Sequence, residues 1–152
     1  MGLDMFFTAR RSFWNCKEGD EEKAMQIRAL FPELPEDIEA SAGISVSIPF
    51  GYWRKANAIH NWFVENVQGG KDKCQKSWVS PEHMYSLLDT VKKVLADASL
   101  APTLLPTTDG FFFGGTDYND RYWRDLEYTK ALLEKALDPA MKDWHFDYQA
   151  SW

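Results

Sequence analysis

The chain has no run approaching the ~18 apolar residues that a membrane span requires, which argues against a membrane role. It has only two cysteines, Cys16 and Cys74, far apart and without metal-ligand spacing. Two reduced thiols in a cytoplasm are the expected state, with a single disulfide as the other option. It has no cluster of Lys and Arg. The 17 basic residues are outnumbered by 23 acidic ones, the net charge is −6, and Lys71, Lys73 and Lys76 are interleaved with Asp72. Without a basic stripe to displace counterions, nucleic acid is not an expected partner. There is no Walker lysine, no G-x-G-x-x-G and no nucleophile elbow. The three histidines, His60, His83 and His145, are scattered, and residues 117–120 lack the glycine and distal glutamate of a calcium loop. No metal and no cofactor is expected. The start of the chain carries no basic-then-apolar leader, and Phe6 stands where a myristoylation motif needs Ser or Thr.

What the chain has in excess is aromatic surface. Seven Trp, six Tyr and ten Phe make up 15% of its 152 residues. Flat rigid rings serve a core, a stacking pocket or an interface, so self-association is an open possibility. The length suits one domain that buries most of its apolar surface.

Periodicity sets out the elements. Residues 3–10 alternate, with Leu3, Met5, Phe7 and Ala9 on one face, and predict a strand. Asp4 on the other face is either solvated or in need of a partner. A helix is predicted over 21–31, ended by Pro32 and Pro35, followed by an acidic exposed stretch over 33–42. Residues 44–50 alternate as a strand whose end Pro49 pushes to an edge. Over 51–70 the steps Tyr52, Ala56, Ile59, Phe63 and Val67 predict a central helix, stopped by Gly69-Gly70. Residues 77–79 are a short strand or a loop. Ser80-Pro81 starts the next helix as N-cap and first helical residue. A linker spans 101–108, Asp109-Gly110 suggests a hairpin turn, and 111–113 read as a covered strand. The last helix runs from Asn119 or Asp120 to about Leu137 with Tyr122, Leu126, Thr129, Leu133 and Ala136 inward, and the alternation of Trp144, Phe146 and Tyr148 marks a final strand or an extended tail.

The expected architecture is a single α+β domain over residues 1–152. Its sheet is short, mixed or antiparallel, with three to four helices packed mainly on one face. Two stretches carry candidate chemistry. Trp53, Arg54, Asn57 and His60 offer a ring, a cation, an amide and an imidazole on neighbouring turns of the predicted helix, a set suited to a base or sugar. Gly114, Gly115 and Thr116, with Tyr118, lead into a helix N-terminus, where backbone amides cradle anions. Asp117 and Asp120 already occupy that positive end and oppose a phosphate there. The bland alternatives are backbone hydrogen bonds for Asn57 and His60, and a tight acidic-capped turn at 114–116.

Met1-Gly2-Leu3-Asp4-Met5, the stretches 52–60 and 62–64, Leu105-Pro106-Thr107, residues 110–118 and the closing Ser151-Trp152 together resemble a family of small bacteriophage and prophage proteins. The resemblance spans nearly the whole chain. By the company such proteins keep, it implies an accessory factor acting in the host cytoplasm on host processes, including immunity. The expected activity is binding without catalysis, with a nucleotide-derived small molecule as cargo. The alternatives are direct inhibition of a host protein, through a surface such as 33–42, and a small nucleotide-processing enzyme using His60 with Asp4 or Asp117.

Overall fold

A computed structural model of the chain describes residues 2–14, 16–34 and 43–152. Its secondary structure is α+β, with one four-stranded antiparallel sheet and five helices among the described residues. The elements run β1 (Asp4–Phe13), α1 (Asp20–Ala29), β2 (Ile44–Arg54), α2 (Asn57–Asn66), β3 (Ser77–Val79), α3 (Pro81–Ala96), α4 (Ala101–Leu104), α5 (Asp120–Ala136) and β4 (His145–Ser151). The sheet order is β2-β1-β4-β3, with Trp78 of β3 opposite Asp147 of β4. The chain divides into two compact units, Arg10–Ile48 on the one hand and Met1–Ala9 with Pro49–Trp152 on the other.

In the larger unit the alternation of β1 works as expected. Leu3, Met5, Phe7 and Ala9 are fully buried. Phe7 stacks on Phe146 of β4 with ring centroids 5.0 Å apart, and Tyr148 stacks on Phe63 of α2 at 3.9 Å. Helix α2 contributes Ile59 and Phe63 to this core, α3 contributes Leu87 and Val91, and α5 contributes Leu126 and Leu133. Apolar residues three and four apart on each helix thus meet the inward face of a period-two sheet. Ser80 caps α3 by accepting from the His83 amide at 3.2 Å, while the Ser80 amide donates back to His83 Nδ1. His83 is therefore a helix-capping residue.

Several expectations need correcting. Residues 51–54 belong to β2, and α2 begins only at Asn57. The backbone of Gly51 lies against Leu132 of α5 so closely that a methyl group there would collide with it. Trp53 then turns inward and Tyr52 outward, as strand residues do. Lys55, with φ of 59°, makes the break between strand and helix. Residues 111–113 form a turn, not a strand: Phe113 N–H donates to Gly110 O, and Phe112 O accepts from Leu3 N–H, each at 3.0 Å. The 101–108 linker opens with the short helix α4, and β1 continues past the expected strand end at residue 10 to Phe13. Pro49 sits within β2, an edge strand where a missing N–H is tolerated. Most of the acidic 33–42 stretch lies outside the described residues.

In the smaller unit, Asp20 of α1 is buried, with Arg11 3.7 Å from its carboxylate. Ser12 and Ser45 hydroxyls meet at 2.8 Å across β1 and β2. Of α1, only Asp20 and Ala24 are buried.

Candidate functional site

The expected site residues fall into three groups. Asn57, Gly114 and Gly115 border a recess at the N-terminus of α2. Trp53 and His60 lie elsewhere, inside the core. Arg54, Thr116 and Tyr118 form the third group, at the margin of the recess.

At this recess α2 starts without a side-chain cap. Its N-cap residue is Ala56, no side chain accepts from its first turn, and that turn has no acidic residue. The first amide of the helix with a helical acceptor is that of His60, which donates to Ala56 O at 2.9 Å. The amides of Asn57, Ala58 and Ile59 have no acceptor among the described residues. A helix start in that state carries a partial positive charge and three convergent donors. These amides open into a cavity of about 50 Å³. Such a volume accommodates a phosphoryl-sized group or a few waters.

Asn57 builds the opposite wall. Its Nδ2 donates to Phe113 O at 3.1 Å and to Gly115 O at 2.9 Å, and its Oδ1 accepts from the Thr108 amide at 3.0 Å. Three of the four hydrogen bonds that a side-chain amide can make are spent on holding the 107–115 loop. Gly114 has φ of 89°, and a Cβ there would sit 3.2 Å from Lys55 Cβ, so both conformation and space call for glycine. Tyr122 fixes the far end through its hydroxyl, which donates to Leu105 O at 2.8 Å.

Apart from Asp117, the charged groups come from residues outside the two candidate stretches' expected site. Lys55 lines the recess, and Arg121, in the first turn of α5, donates to Arg54 O at 2.7 Å. Asp117 and Asp125 also line it. Arg121 and Asp125 are four apart on α5, a pairing visible in the sequence once α5 is known to end at this site. Burial pushes the Asp125 carboxyl up to about 6, with Arg121 and Arg124 acting in the opposite direction. The recess therefore pairs cations and amides with carboxylates, and suits a group that has both anionic oxygens and hydroxyl donors.

The remaining candidates lie at the margin. Arg54 is 3.9 Å from Asp4, which also accepts from the Tyr52 hydroxyl; Asp4 is thus partnered rather than simply solvated. Thr116 O accepts from Thr107 Oγ1 at 2.8 Å, and Tyr118 packs edge-on against Tyr122. Trp53 is removed from ligand chemistry by position: it is buried, and its indole N–H donates to Thr129 Oγ1 at 2.9 Å.

His60 is enclosed. Its Nε2 donates to Asp72 Oδ2 at 2.9 Å, and its Nδ1 is 2.7 Å from the Tyr148 hydroxyl, which donates to it when the imidazole is neutral. Trp152 Nε1 donates to the other Asp72 oxygen at 3.1 Å. Burial holds the Tyr148 phenol well above its ordinary range. This chain, buried at His60 and Tyr148 and reaching the surface at Asp72 and Trp152, ties α2, β4 and the 72 loop together and does not border the recess. Among the described residues no set of three His, Cys, Asp or Glu side chains is placed to hold a metal ion, and no helix is long and apolar enough to cross a membrane.

No protein-family model, no curated protein and no solved structure matches this chain.

The pH dependence of stability tests the electrostatics of the recess. The folded pKa of Asp125 lies above its unfolded value, so its contribution is fully present below the unfolded pKa and is lost as pH rises through 6. Asp125→Asn should remove that loss. The variant should be more stable than the parent by about 1–2 kcal/mol near neutral pH, after discounting for the half-exposed side chain. In acid, below the ordinary aspartate range, the two should melt together. Equal stability at neutral pH would show the carboxylate to be well solvated.

Proposed function

We propose that the protein binds a phosphorylated, hydroxyl-bearing small molecule of nucleotide type and holds it without converting it. The observation that carries this reading is the uncapped start of α2, whose free amides open into a small recess beside Lys55 and Arg121. A phosphate fills the recess, its oxygens taking the amides and the two cations; the remainder of the ligand lies outside it, its hydroxyls donating to Asp117 and Asp125 at the rim. The enclosure of His60, with both ring nitrogens bonded, favours holding over turnover. With the resemblance to small phage proteins, the protein is an accessory factor in the host cytoplasm that lowers the free level of a nucleotide-derived host signal.

A thermal-shift screen against nucleotides, cyclic dinucleotides and ADP-ribose derivatives tests this. A ligand bound only by the native state adds ~2.7 kcal/mol at a hundredfold over its Kd. One member should raise the melting temperature, be recovered intact, and lose about tenfold or more in affinity with Arg121→Ala. Recovery of a converted product would make the protein an enzyme.

A second reading rests on the smaller unit, which exposes Trp14, Met25, Leu30, Phe31 and Leu34. So many large apolar side chains on a short segment mark an interaction surface, and the partner would be a host protein. A screen without any shift, together with stoichiometric capture of one host protein that Leu30→Asp abolishes, would establish this reading instead.

A further inference from the structure

In the larger unit α2, α3 and α5 join the core on the sheet face that carries Leu3, Met5 and Phe7. On the other face of the sheet β1, β2 and β3 present Phe6, Tyr52 and Trp78, exposed by 43, 46 and 57%. Phe6 and Tyr52 have ring centroids 5.6 Å apart and planes inclined at 47°, which makes an open notch rather than a closed stack. Tyr52 is tethered at both ends. Its hydroxyl donates to Asp4, and its backbone N–H donates to the Tyr128 hydroxyl at 3.1 Å. The notch belongs to a groove of about 560 Å³ that also takes in Thr8, Lys76 and Gln149. Gln149 is held by its own Nε2–H on Cys74 O at 3.0 Å.

A groove of this size falls within the range of small-molecule sites, roughly 300–1,000 Å³. The recess at α2 has less than a tenth of that volume, and the two share no lining residue. The lining joins the rings of Phe6, Phe7, Phe50, Tyr52 and Tyr128 to a threonine hydroxyl, the Gln149 amide and the Lys76 ammonium group. Ring faces attract a planar π-system, neutral polar groups read its edge, and Lys76 calls for negative charge nearby. The sequence has no basic stripe to follow a nucleic-acid backbone, so a single ring-bearing molecule fits better than a polymer.

We propose that the open sheet face is a second ligand site, for a planar heteroaromatic ring that carries an anionic group, the chemistry of a nucleoside monophosphate. The ring stacks in the Phe6–Tyr52 notch, Thr8 and Gln149 bond to its edge, and Lys76 meets the charge. The site is separate from the α2 recess and stands whether or not that recess binds phosphate.

The test is equilibrium titration with adenosine monophosphate, adenosine and ribose 5-phosphate, followed by intrinsic fluorescence and by calorimetry. The Arg121→Ala protein is used throughout, so that the recess contributes little. Adenosine monophosphate should bind, adenosine should bind several-fold more weakly, and ribose 5-phosphate should not bind. Phe6→Ser, at an exposed position, should weaken the monophosphate about tenfold or more. Lys76→Gln should reduce the monophosphate to the level of adenosine while leaving adenosine unchanged. The proposal is overturned if ribose 5-phosphate binds as well as the monophosphate, or if neither substitution changes binding. It is equally overturned if no ring ligand binds and Phe6→Ser instead abolishes dimerisation, which would make the face an interface between two copies, or if only a single-stranded oligonucleotide binds.

Discussion

Replacing His60 with alanine should lower the free energy of unfolding by about 3–5 kcal/mol, measured by denaturant titration. The imidazole joins a fully buried tyrosine hydroxyl to the Asp72 carboxylate through contacts of 2.7 and 2.9 Å. Its removal strands the Tyr148 hydroxyl without a partner, at a cost of about 1–3 kcal/mol, and leaves a cavity beside the Phe113 and Tyr148 rings. Tyr148→Phe removes the hydroxyl itself and should cost less, about 1–2 kcal/mol, because only Nδ1 of His60 is left unbonded. The double variant should show a coupling of at least about 0.5 kcal/mol. A His60→Ala protein within about 1 kcal/mol of the parent would mean that the buried chain contributes little, and would return His60 to consideration as a chemical group.

The second large effect is at Asn57. Asn57→Ala should destabilise the fold by about 2–4 kcal/mol, since three hydrogen bonds of 2.9–3.1 Å vanish together. It should also abolish ligand binding in the recess, because the 107–115 wall loses its anchor. The Asn57→Asp variant separates hydrogen-bond pattern from size. Its carboxylate would still accept from the Thr108 amide, but it would set an acceptor against the carbonyls of Phe113 and Gly115. Asn57→Asp should therefore be at least as damaging as Asn57→Ala. Limited proteolysis should cut the loop in both variants and spare it in the parent. An intact loop in Asn57→Ala would show that Gly114 and the Tyr122 hydroxyl suffice to hold it.

The two effects show how unevenly the sequence predicts its structure. The inward set of β1, the Ser80 cap of α3 and the inward face of α5 all follow from short-range periodicity or cap chemistry, and all hold in the fold. The start of α2 does not follow. Tyr52 and Ala56 match a helical step, and four residues are too few to tell a period of 3.6 from one of 2. Pairing with β1, far back in the chain, makes 51–54 a strand, and the strand then passes close against Leu132, 81 residues later. That one displacement moves Trp53 into the core and Tyr52 onto the open face. Residues 111–113 depart from expectation for a related reason: an apolar run has the composition of a strand, but a strand also needs a neighbour, and the sheet offers none there.

The candidate site divides along the same line. Gly114 and Gly115 are identifiable because their chemistry is local, glycines in a turn; Asn57 stands out as an amide, although the predicted helix places it in its interior and not at its start. Lys55, Arg121 and Asp125 are not, because a surface charge carries no mark in sequence until the fold places another group beside it. His60 is identifiable as a special residue but not as a buried one; its partners lie 12 and 88 positions away. By itself the sequence determined the α+β class, the inward faces of its longer elements, and the absence of a basic stripe or a long apolar span. Tertiary structure alone decided which rings are core and which are surface, whether the helix start is capped, and which charges share a recess. Those outcomes depend on contacts between residues far apart in the chain, and local propensity and spacing do not encode such contacts.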